Sequence, residues 1–195
     1  MKARSRLHDC RGITLLEMVT VMGIVAILMA IAVPSYKYVT NANRIAAEVN
    51  GLLGDMQYAR GEAIKQGQTV TVCVSNDGAT CAGGTVTTWQ NGWIVFSDVL
   101  NDHTVDPGDA VLRVQSAFTG TDTFTASNNV GFVTFNREGF ATGPGIANGA
   151  MITLHALVPN SASTRCLSLS LVGLMTVLNA GNSTNNNNTA AVACL

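Results

Sequence analysis

The pattern of hydrophobic and polar residues divides the chain into three regions. Residues 13–33 are almost all apolar, and Glu17 is the only charged residue among them. In residues 39–64 apolar side chains recur every three or four positions, whereas beyond Gly67 apolar and polar residues alternate. These periods predict an apolar helix, then an amphipathic helix, then a series of β-strands.

The apolar region is long enough to cross a lipid bilayer. Its 21 residues would form a helix of about 31 Å, which matches a hydrocarbon core. A cleaved secretory signal would have a shorter apolar stretch and a small-residue cleavage site after it, and the residues that follow Pro34 do not offer one. Basic residues outnumber acidic ones before the region, so we expect a cytoplasmic amino terminus. We therefore predict one membrane-spanning helix, residues 13–34.

The amphipathic helix is predicted to cover residues 35–66. Pro34 lies where the two helical patterns meet, and we expect a kink there because proline lacks a backbone donor and clashes with the preceding turn. Gly67 suits the left-handed position that ends many helices. The apolar stripe of this helix has to be covered, so we expect it to pack on a sheet.

The region beyond Gly67 is predicted to consist of strands separated by turns that contain Gly, Asn and Asp, such as residues 76–78 and 137–139. The alternating segments are TVTVCVS, GWIVFSD, AVLRVQ, VGFVTFN, MITLHAL, RCLSLSL and LMTVL. No second helical pattern follows them. We predict an α+β fold, in which a long amino-terminal helix packs on an antiparallel β-sheet domain of residues 67–195.

The charge of the chain argues against nucleic-acid binding. From Ile13 onward, 7 basic residues stand against 11 acidic residues, and the basic ones are scattered from Lys37 to Arg165. Binding to a phosphate backbone needs clustered Lys and Arg. Bulk charge therefore gives no support for a nucleic-acid partner.

Cysteine usage indicates an oxidising compartment for most of the chain. Cys10 precedes the apolar region, and Cys73, Cys81, Cys166 and Cys194 follow it. An even set of exported cysteines predicts disulfides. Three pairings are possible, and loop-closure entropy favours Cys73–Cys81 with Cys166–Cys194 without excluding the others. A zinc site would need CxxC pairs or neighbouring histidines, which the sequence does not contain.

The sequence contains no recognisable catalytic constellation, so we expect no enzymatic activity, no cofactor and no metal. His103 is expected in a loop and His155 in a strand. A run of acidic and amide side chains suggests oxygen ligands for calcium, but its spacing differs from a calcium-binding loop, so we favour a solvated hairpin loop. The run comprises Asp98, Asn101, Asp102, Asp106 and Asp109.

The amino-terminal residues resemble the processing signature of type IV pilins and type II secretion pseudopilins. A basic leader ends in Gly12 and is followed by ITLLEMVTVMGIVAILMAIAVP. In that family a prepilin peptidase cuts after the glycine and methylates the new amino terminus. The resemblance implies a leader of residues 1–12, cleavage between Gly12 and Ile13, and N-methylation of Ile13. The family usually begins its mature chain with Phe, so Ile13 departs from the pattern.

The same resemblance implies a role for Glu17, which would be the fifth residue of the mature chain. In the family this glutamate compensates the positive amino terminus of a neighbouring subunit that enters the filament. Two charges that are each costly in lipid become tolerable when they meet, because attraction grows as the dielectric constant falls. Position alone leaves an alternative, an acid at the membrane interface with no special role.

Residues 56–115 carry a second resemblance, in YARGEAIKQGQTVTVCVSNDGATC, WQNGWIVFSD and VLRVQ. They are similar to the FimT/FimU-type minor pilins and to the GspH pseudopilin domain. The resemblance implies a structural minor pilin that helps to initiate or cap a type IV pilus. Its implied partners are other major and minor pilins, the prepilin peptidase and the inner membrane, from which the protein would pass into a pilus or pseudopilus.

Two other functions remain open alongside the pilus role. One is that of a type II secretion pseudopilin of the GspH type, and the other is that of a DNA-binding tip pilin for transformation. Some FimT-like pilins bind DNA through a GRxR motif, whereas here Leu174 and Thr176 follow Gly173 at the arginine positions. A phosphate contact needs cations, so nucleic acid is not an expected partner. The Asn-rich tail is interpreted as a surface loop tethered by Cys194.

Overall fold

The computed structural model of the protein describes residues 12–119, 122–146, 150–155, 164–180, 183–184 and 192–194. Residues 1–11, which include Cys10 and all of the predicted leader except Gly12, lie outside the described residues, as does most of the Asn-rich tail. The chain forms two units, Met1–Thr40 and Asn41–Leu195. They are described in turn.

The first unit contains the beginning of one helix, α1, which extends from Leu15 to Gln66. Every residue from 12 to 40 is exposed, although the most apolar stretch of α1 has a mean hydropathy of 2.5. By length and composition this helix could cross a membrane. An apolar helix with no cover of its own is expected to bury its side chains in lipid or against other chains.

In the second unit, α1 buries one stripe of side chains against the sheet. Three- and four-residue steps place these side chains on one face of the helix. They share the main core with Val72, Trp93 and Val133 of the sheet. The stripe consists of Ile45, Val49, Leu52, Met56, Ala59 and Ala63. After Gln66, Gly67 adopts a left-handed conformation with φ of 70°, and its N–H donates to the Ala63 carbonyl oxygen, which ends the helix.

The strands of the described residues form antiparallel sheets. The strands are β1 (Val70–Val74), β2 (Gly92–Ser97), β3 (Val111–Ser116), β4 (Thr123–Ala126), β5 (Phe132–Phe135), β6 (Ala141–Thr142), β7 (Ala150–His155), β8 (Arg165–Leu169), β9 (Met175–Asn179), β10 (Ser183–Thr184) and β11 (Val192–Ala193). A five-stranded sheet has the order β3-β2-β1-β5-β6, a four-stranded sheet has the order β4-β7-β8-β9, and β10 pairs with β11. Every pairing between these strands is antiparallel.

The predicted α+β fold is confirmed. All seven segments that alternate in the sequence are strands, including β7, which contains His155. The strands β4, β6, β10 and β11 were not predicted. Strands β6, β10 and β11 have two residues each, and a period of two cannot be recognised over so short a length.

The central strands of the five-stranded sheet, β1 and β2, are buried on both faces, whereas the edge strand β3 is mostly exposed. Val70, Val72 and Val74 of β1 face the main core beneath α1. On the opposite face a smaller core contains Cys73, Ile94 and Phe96, with Phe132, Cys81 and Val105 packed against it. This double burial explains why β1 and β2 are buried along their whole length, whereas a sheet with one solvated face would bury alternate residues.

Two polar side chains of α1 fix the helix to the sheet domain. Asp55 accepts hydrogen bonds from Trp93 Nε1 at 2.9 Å and from Arg113 Nη1 at 2.8 Å, which joins α1 to β2 and β3. Arg60 Nε donates to the Gly139 carbonyl oxygen at 2.9 Å, and the same guanidinium reaches the β8–β9 turn. The helix is therefore held by directional contacts as well as by its apolar stripe.

Candidate functional site

The predicted cleavage position lies immediately before the start of α1. Residues 12–14 are exposed and not helical. The Thr14 hydroxyl accepts the Glu17 N–H at 3.2 Å, and the Thr14 carbonyl oxygen accepts the Met18 N–H at 3.2 Å. Thr14 is thus the N-cap residue of the helix and Glu17 its third residue. The peptide bond between Gly12 and Ile13 therefore lies in exposed, non-helical chain.

Glu17 has a local structural role that the sequence analysis missed. In the first turn of a helix a carboxylate interacts favourably with the partial positive charge of the unpaired N–H groups. The pattern Thr-x-x-Glu at residues 14–17 is a known signature of a helix start and could have revealed this role. Any test of Glu17 in assembly has to separate its charge from its effect on the start of α1.

Pro34 lies inside α1, which is continuous through it. Since proline has no backbone N–H, the carbonyl oxygen of Ala30 does not receive a helical hydrogen bond from position 34. One and a half turns later, the Thr40 hydroxyl donates to the carbonyl oxygens of Tyr36 and Lys37, at 3.0 Å each. The kink at Pro34 stays a prediction.

The structure contains two disulfides in the second unit. Cys73 is bonded to Cys81, and Cys166 is bonded to Cys194, with Cα–Cα distances of 5.6 and 5.8 Å. These are the pairs that loop length favours. The second bond attaches the carboxyl-terminal end of the chain to β8, where both cysteines are buried beside Leu178 of β9.

The smaller disulfide closes a loop that Asp77 organises. The Asp77 carboxylate accepts the Thr80 hydroxyl, the Thr80 N–H and the Ala79 N–H, at 2.6 to 2.8 Å. These hydrogen bonds, led by the one from the Thr80 hydroxyl, hold the pKa of Asp77 far below its ordinary value. The loop is consequently fixed by hydrogen bonds in addition to the covalent bond.

We expect the two disulfides to contribute unequally to stability. They join residues 8 and 28 positions apart, and the chain-entropy relation gives about 2.5 and about 3.6 kcal/mol for loops of those lengths. The double variant Cys166→Ser/Cys194→Ser should therefore lose about 1 kcal/mol more than Cys73→Ser/Cys81→Ser. Urea unfolding of the two variants and the parent, followed by tryptophan fluorescence, measures the difference. An equal or reversed loss would contradict the entropic explanation.

The acidic run is a loop held by its own hydrogen bonds. Asp98 is buried and accepts the Thr71 hydroxyl at 2.8 Å and the N–H groups of Asp102 and His103 at 3.1 Å. Asp109 accepts two further backbone N–H groups of the same loop. Among the described residues no group of three or more His, Cys, Asp or Glu is placed to hold a metal ion. These two carboxylates serve as acceptors for the loop backbone.

His103 lies in this loop with φ of 66°, and its ring stacks on Phe132 at a centroid distance of 4.1 Å. Its Nδ1 atom lies 3.2 Å from the Thr134 hydroxyl and 3.4 Å from the Asp98 carboxylate. A catalytic relay of hydroxyl, imidazole and carboxylate needs both ring nitrogens, whereas here both contacts involve the same one. The Thr134 hydroxyl is also buried. This arrangement joins the loop to the sheet and does not activate a nucleophile.

The stretch that corresponds to the DNA-binding motif occupies the β8–β9 turn and the start of β9. Gly173 has φ of 73°, and the Leu174 side chain is 62% exposed. Thr176 is also exposed. The neighbouring cation, Arg60, donates to backbone carbonyl oxygens. The four residues 173–176 therefore present apolar and hydroxyl groups at the surface, without the cations that a phosphate contact requires.

The predicted site residues are divided between the two units. Gly12, Ile13, Glu17 and Pro34 belong to the first unit, whereas the four bonded cysteines belong to the second. The first group is the predicted processing and anchoring signal, and the second forms two disulfides within the second unit.

Comparison with known proteins agrees with this division. The family model described as "Type II transport protein GspH" matches residues 48–173, more than half of the chain. The model described as "Prokaryotic N-terminal methylation motif" matches residues 7–33. A search among curated proteins gives no match.

Two solved structures are similar to this chain, and both are crystal structures of the type IV minor pilin FimU from Pseudomonas aeruginosa. The form in space group P21 is 19% identical, with a TM-score of 0.56 over 78% of this chain and 96% of that chain. The form in space group P65 is 19% identical, with a TM-score of 0.49 over 80% of this chain and 98% of that chain. The first of these likenesses shows that the fold is shared.

The methylation motif and the pilin-like fold imply processing by a prepilin peptidase and assembly with other pilins. They also fit a membrane anchor at the amino terminus followed by a globular domain. Neither the family nor the similar fold indicates an enzymatic activity. The chain therefore belongs to the family described as type II transport protein GspH, and its fold is that of a type IV minor pilin.

Proposed function

We propose that this protein is a structural minor pilin that helps to initiate or cap a type IV pilus after its leader has been removed. The observation that carries the proposal is that a methylation motif and an exposed apolar helical segment occur together at the amino terminus. The methylation-motif match at residues 7–33 ends in the apolar part of α1, whose residues are exposed up to residue 40. A helix of this kind is suited to membrane insertion first and to packing among other apolar helices afterwards.

The processing step in this proposal is cleavage between Gly12 and Ile13, followed by N-methylation of Ile13. Exposed, non-helical chain at residues 12–14 supports the proposal, because a peptidase has to bind its substrate backbone in a form that is free of helical hydrogen bonds. Before assembly the protein would span the inner membrane once. Its amino terminus would be cytoplasmic and its sheet domain periplasmic, as the basic leader favours.

The assembly step depends on Glu17. Once α1 leaves the bilayer, other pilin helices would have to cover its apolar surface. Glu17 would then pair with the positive amino terminus of Ile13 in a neighbouring subunit, because a carboxylate in an apolar helix bundle is costly unless it has a counter-charge. Pro34 would adjust the course of the helix between the apolar part and the sheet domain.

One other function is favoured by a specific observation. The matching family is described as a type II transport protein, so the second candidate is a type II secretion pseudopilin of the GspH type. Both candidates use the same fold, processing and helix packing. They differ in the machine that the subunit serves, which a whole-cell experiment can separate.

A deletion strain tests the proposal. We expect loss of sheared surface pili and of twitching, with normal release of exoproteins into the culture supernatant. The matched controls are complementation with the parent gene and with a Gly12→Leu variant, which should retain the leader and fail to restore pili. Normal pili with lost secretion would replace the proposal by the pseudopilin function, and normal pili with lost transformation would indicate DNA uptake.

A further inference from the structure

Three charged side chains meet where α1 first contacts the sheet domain, and we name them the Arg44 cluster: Arg44, Glu48 and Asp122. Asp122 precedes β4 and its carboxylate is almost fully buried. Its Oδ2 atom accepts a hydrogen bond from Arg44 Nε at 2.8 Å, and Arg44 Nη2 lies 2.7 Å from the same atom in an ion pair. Glu48 lies four residues after Arg44 on α1, so the two side chains are neighbours on the helix surface.

The Arg44 cluster contains an unpaired oxygen atom. Glu48 Oε2 is buried and has no hydrogen-bond partner, and it is the only such side-chain atom among the described residues. Buried polar atoms nearly always have a partner, so each exception calls for an explanation. An ionised Glu48 would have to share one guanidinium with Asp122, which already accepts a hydrogen bond from it and forms an ion pair with it. A neutral Glu48 needs no counter-charge and removes this conflict.

We propose that Glu48 is a proton-linked switch of the contact between α1 and the chain that precedes β4. With a proton on Glu48 the cluster contains one cation and one anion, and the contact is stable. When Glu48 ionises, a second anion competes for Arg44 and the contact is weakened. The inference concerns the second unit alone and does not depend on which filament the protein joins.

The charges around Glu48 agree with this assignment. Burial is the largest influence, the negative charge of Asp122 adds to it, and both raise the pKa of Glu48 above its ordinary value of 4.5, while Arg44 acts in the opposite direction. Because the folded protein keeps this proton to a higher pH than the unfolded chain does, the stability is highest in acid. It falls as the pH rises from about 4.5 through the folded-state pKa and then stays at the lower level.

The test compares Glu48→Gln with the parent in the full chain, in detergent micelles with both disulfides intact. Glutamine mimics the neutral carboxyl group. We expect the unfolding equilibrium constant to fall at least about threefold at pH ~7.5, beyond the range of ordinary surface substitutions, and to change little at pH ~4, where both states are protonated. Urea unfolding followed by the fluorescence of the buried Trp89 and Trp93 reports the stability of this unit.

The matched control is Glu62→Gln on the same helix. Hydrogen bonds from Gln66 and Lys65 lower the pKa of Glu62, so its neutral mimic should give no gain at pH ~7.5. An unchanged or less stable Glu48→Gln protein at that pH would overturn the proposal. If the variant folds poorly, a carbon-13 NMR titration of Glu48 in the parent tests the proposal instead. A midpoint above that of Glu in a denatured sample supports the switch, and an equal or lower one excludes it.

Discussion

Replacing Glu17 with alanine is expected to remove the protein from filaments while leaving its membrane insertion and leader cleavage intact. In the proposed assembly the Glu17 carboxylate meets the positive amino terminus of a neighbouring subunit among apolar helices. Removing one member of a buried charge pair leaves the other without compensation, at a cost of about 3–5 kcal/mol. We therefore expect at least about a tenfold fall in the amount recovered in sheared filaments. Immunoblots of the filament and membrane fractions measure incorporation and membrane insertion. The mass of the mature chain reports leader cleavage.

Two control variants separate the charge of Glu17 from its place at the start of α1. Glu17→Gln removes the charge and keeps a side chain of similar size, so it should fail like Glu17→Ala. Thr14→Ala removes the hydroxyl that accepts the Glu17 N–H and keeps the charge, so it should assemble with a modest loss. If Glu17→Ala were recovered in sheared filaments at the level of the parent, the proposed pairing of Glu17 with a neighbouring amino terminus would be wrong. Normal assembly of Glu17→Gln combined with failure of Thr14→Ala would assign Glu17 to helix capping.

Replacing Asp98 with alanine is expected to destabilise the sheet domain by about 3 kcal/mol or more. The buried carboxylate accepts the Thr71 hydroxyl and two backbone N–H groups. Without it, the Thr71 hydroxyl retains only its contact with the Thr134 hydroxyl, and the two part-buried N–H groups lose their acceptor, at about 1–3 kcal/mol for each lost hydrogen bond. Denaturant unfolding with tryptophan fluorescence gives the loss in free energy of unfolding.

The matched control for Asp98 is Asp109→Ala in the same loop. Asp109 also accepts two backbone N–H groups, but it is only partly buried, so water can replace part of these contacts and the loss should stay below about 1 kcal/mol. Equal losses in the two variants would show that burial of Asp98 is not decisive. A rise in stability of the parent on addition of calcium, abolished in both variants, would instead revive the metal-binding interpretation of this loop.

The helix and strands whose apolar residues repeat with a clear helical or strand period could be predicted from the sequence. The stripe from Ile45 to Ala63 repeats at helical spacing, and β1 and β2 combine β-branched residues with clear turn signals on either side. Strand β4 was missed because its four residues gain their structure from pairing with β7, which lies more than twenty positions away. Tertiary contacts of this kind leave no local periodicity in the sequence.

In the candidate site, too, local sequence signals could be predicted and contacts between distant residues could not. The signals at Gly12 and Glu17 are local and readable, and so is the Thr14 cap, which was overlooked. By contrast, Arg44 and Asp122 are 78 positions apart and Thr71 and Asp98 are 27 apart. Only the folded chain brings these side chains together, so neither the unpaired Glu48 oxygen nor the buried Asp98 network could be inferred from residue spacing.

The central position of β1 has a mechanical consequence. Tension along α1 would enter the sheet domain through its buried stripe and the contacts of Asp55 and Arg60, and also through Gly67 at Val70, the first residue of β1. This strand is paired with β2 on one side and β5 on the other, and inter-strand hydrogen bonds run perpendicular to the strands. A pull along β1 would therefore load both rows of bonds at once, in shear, and not open them one after another. In the proposed filament, this arrangement would help the sheet domain to resist a pull of that kind.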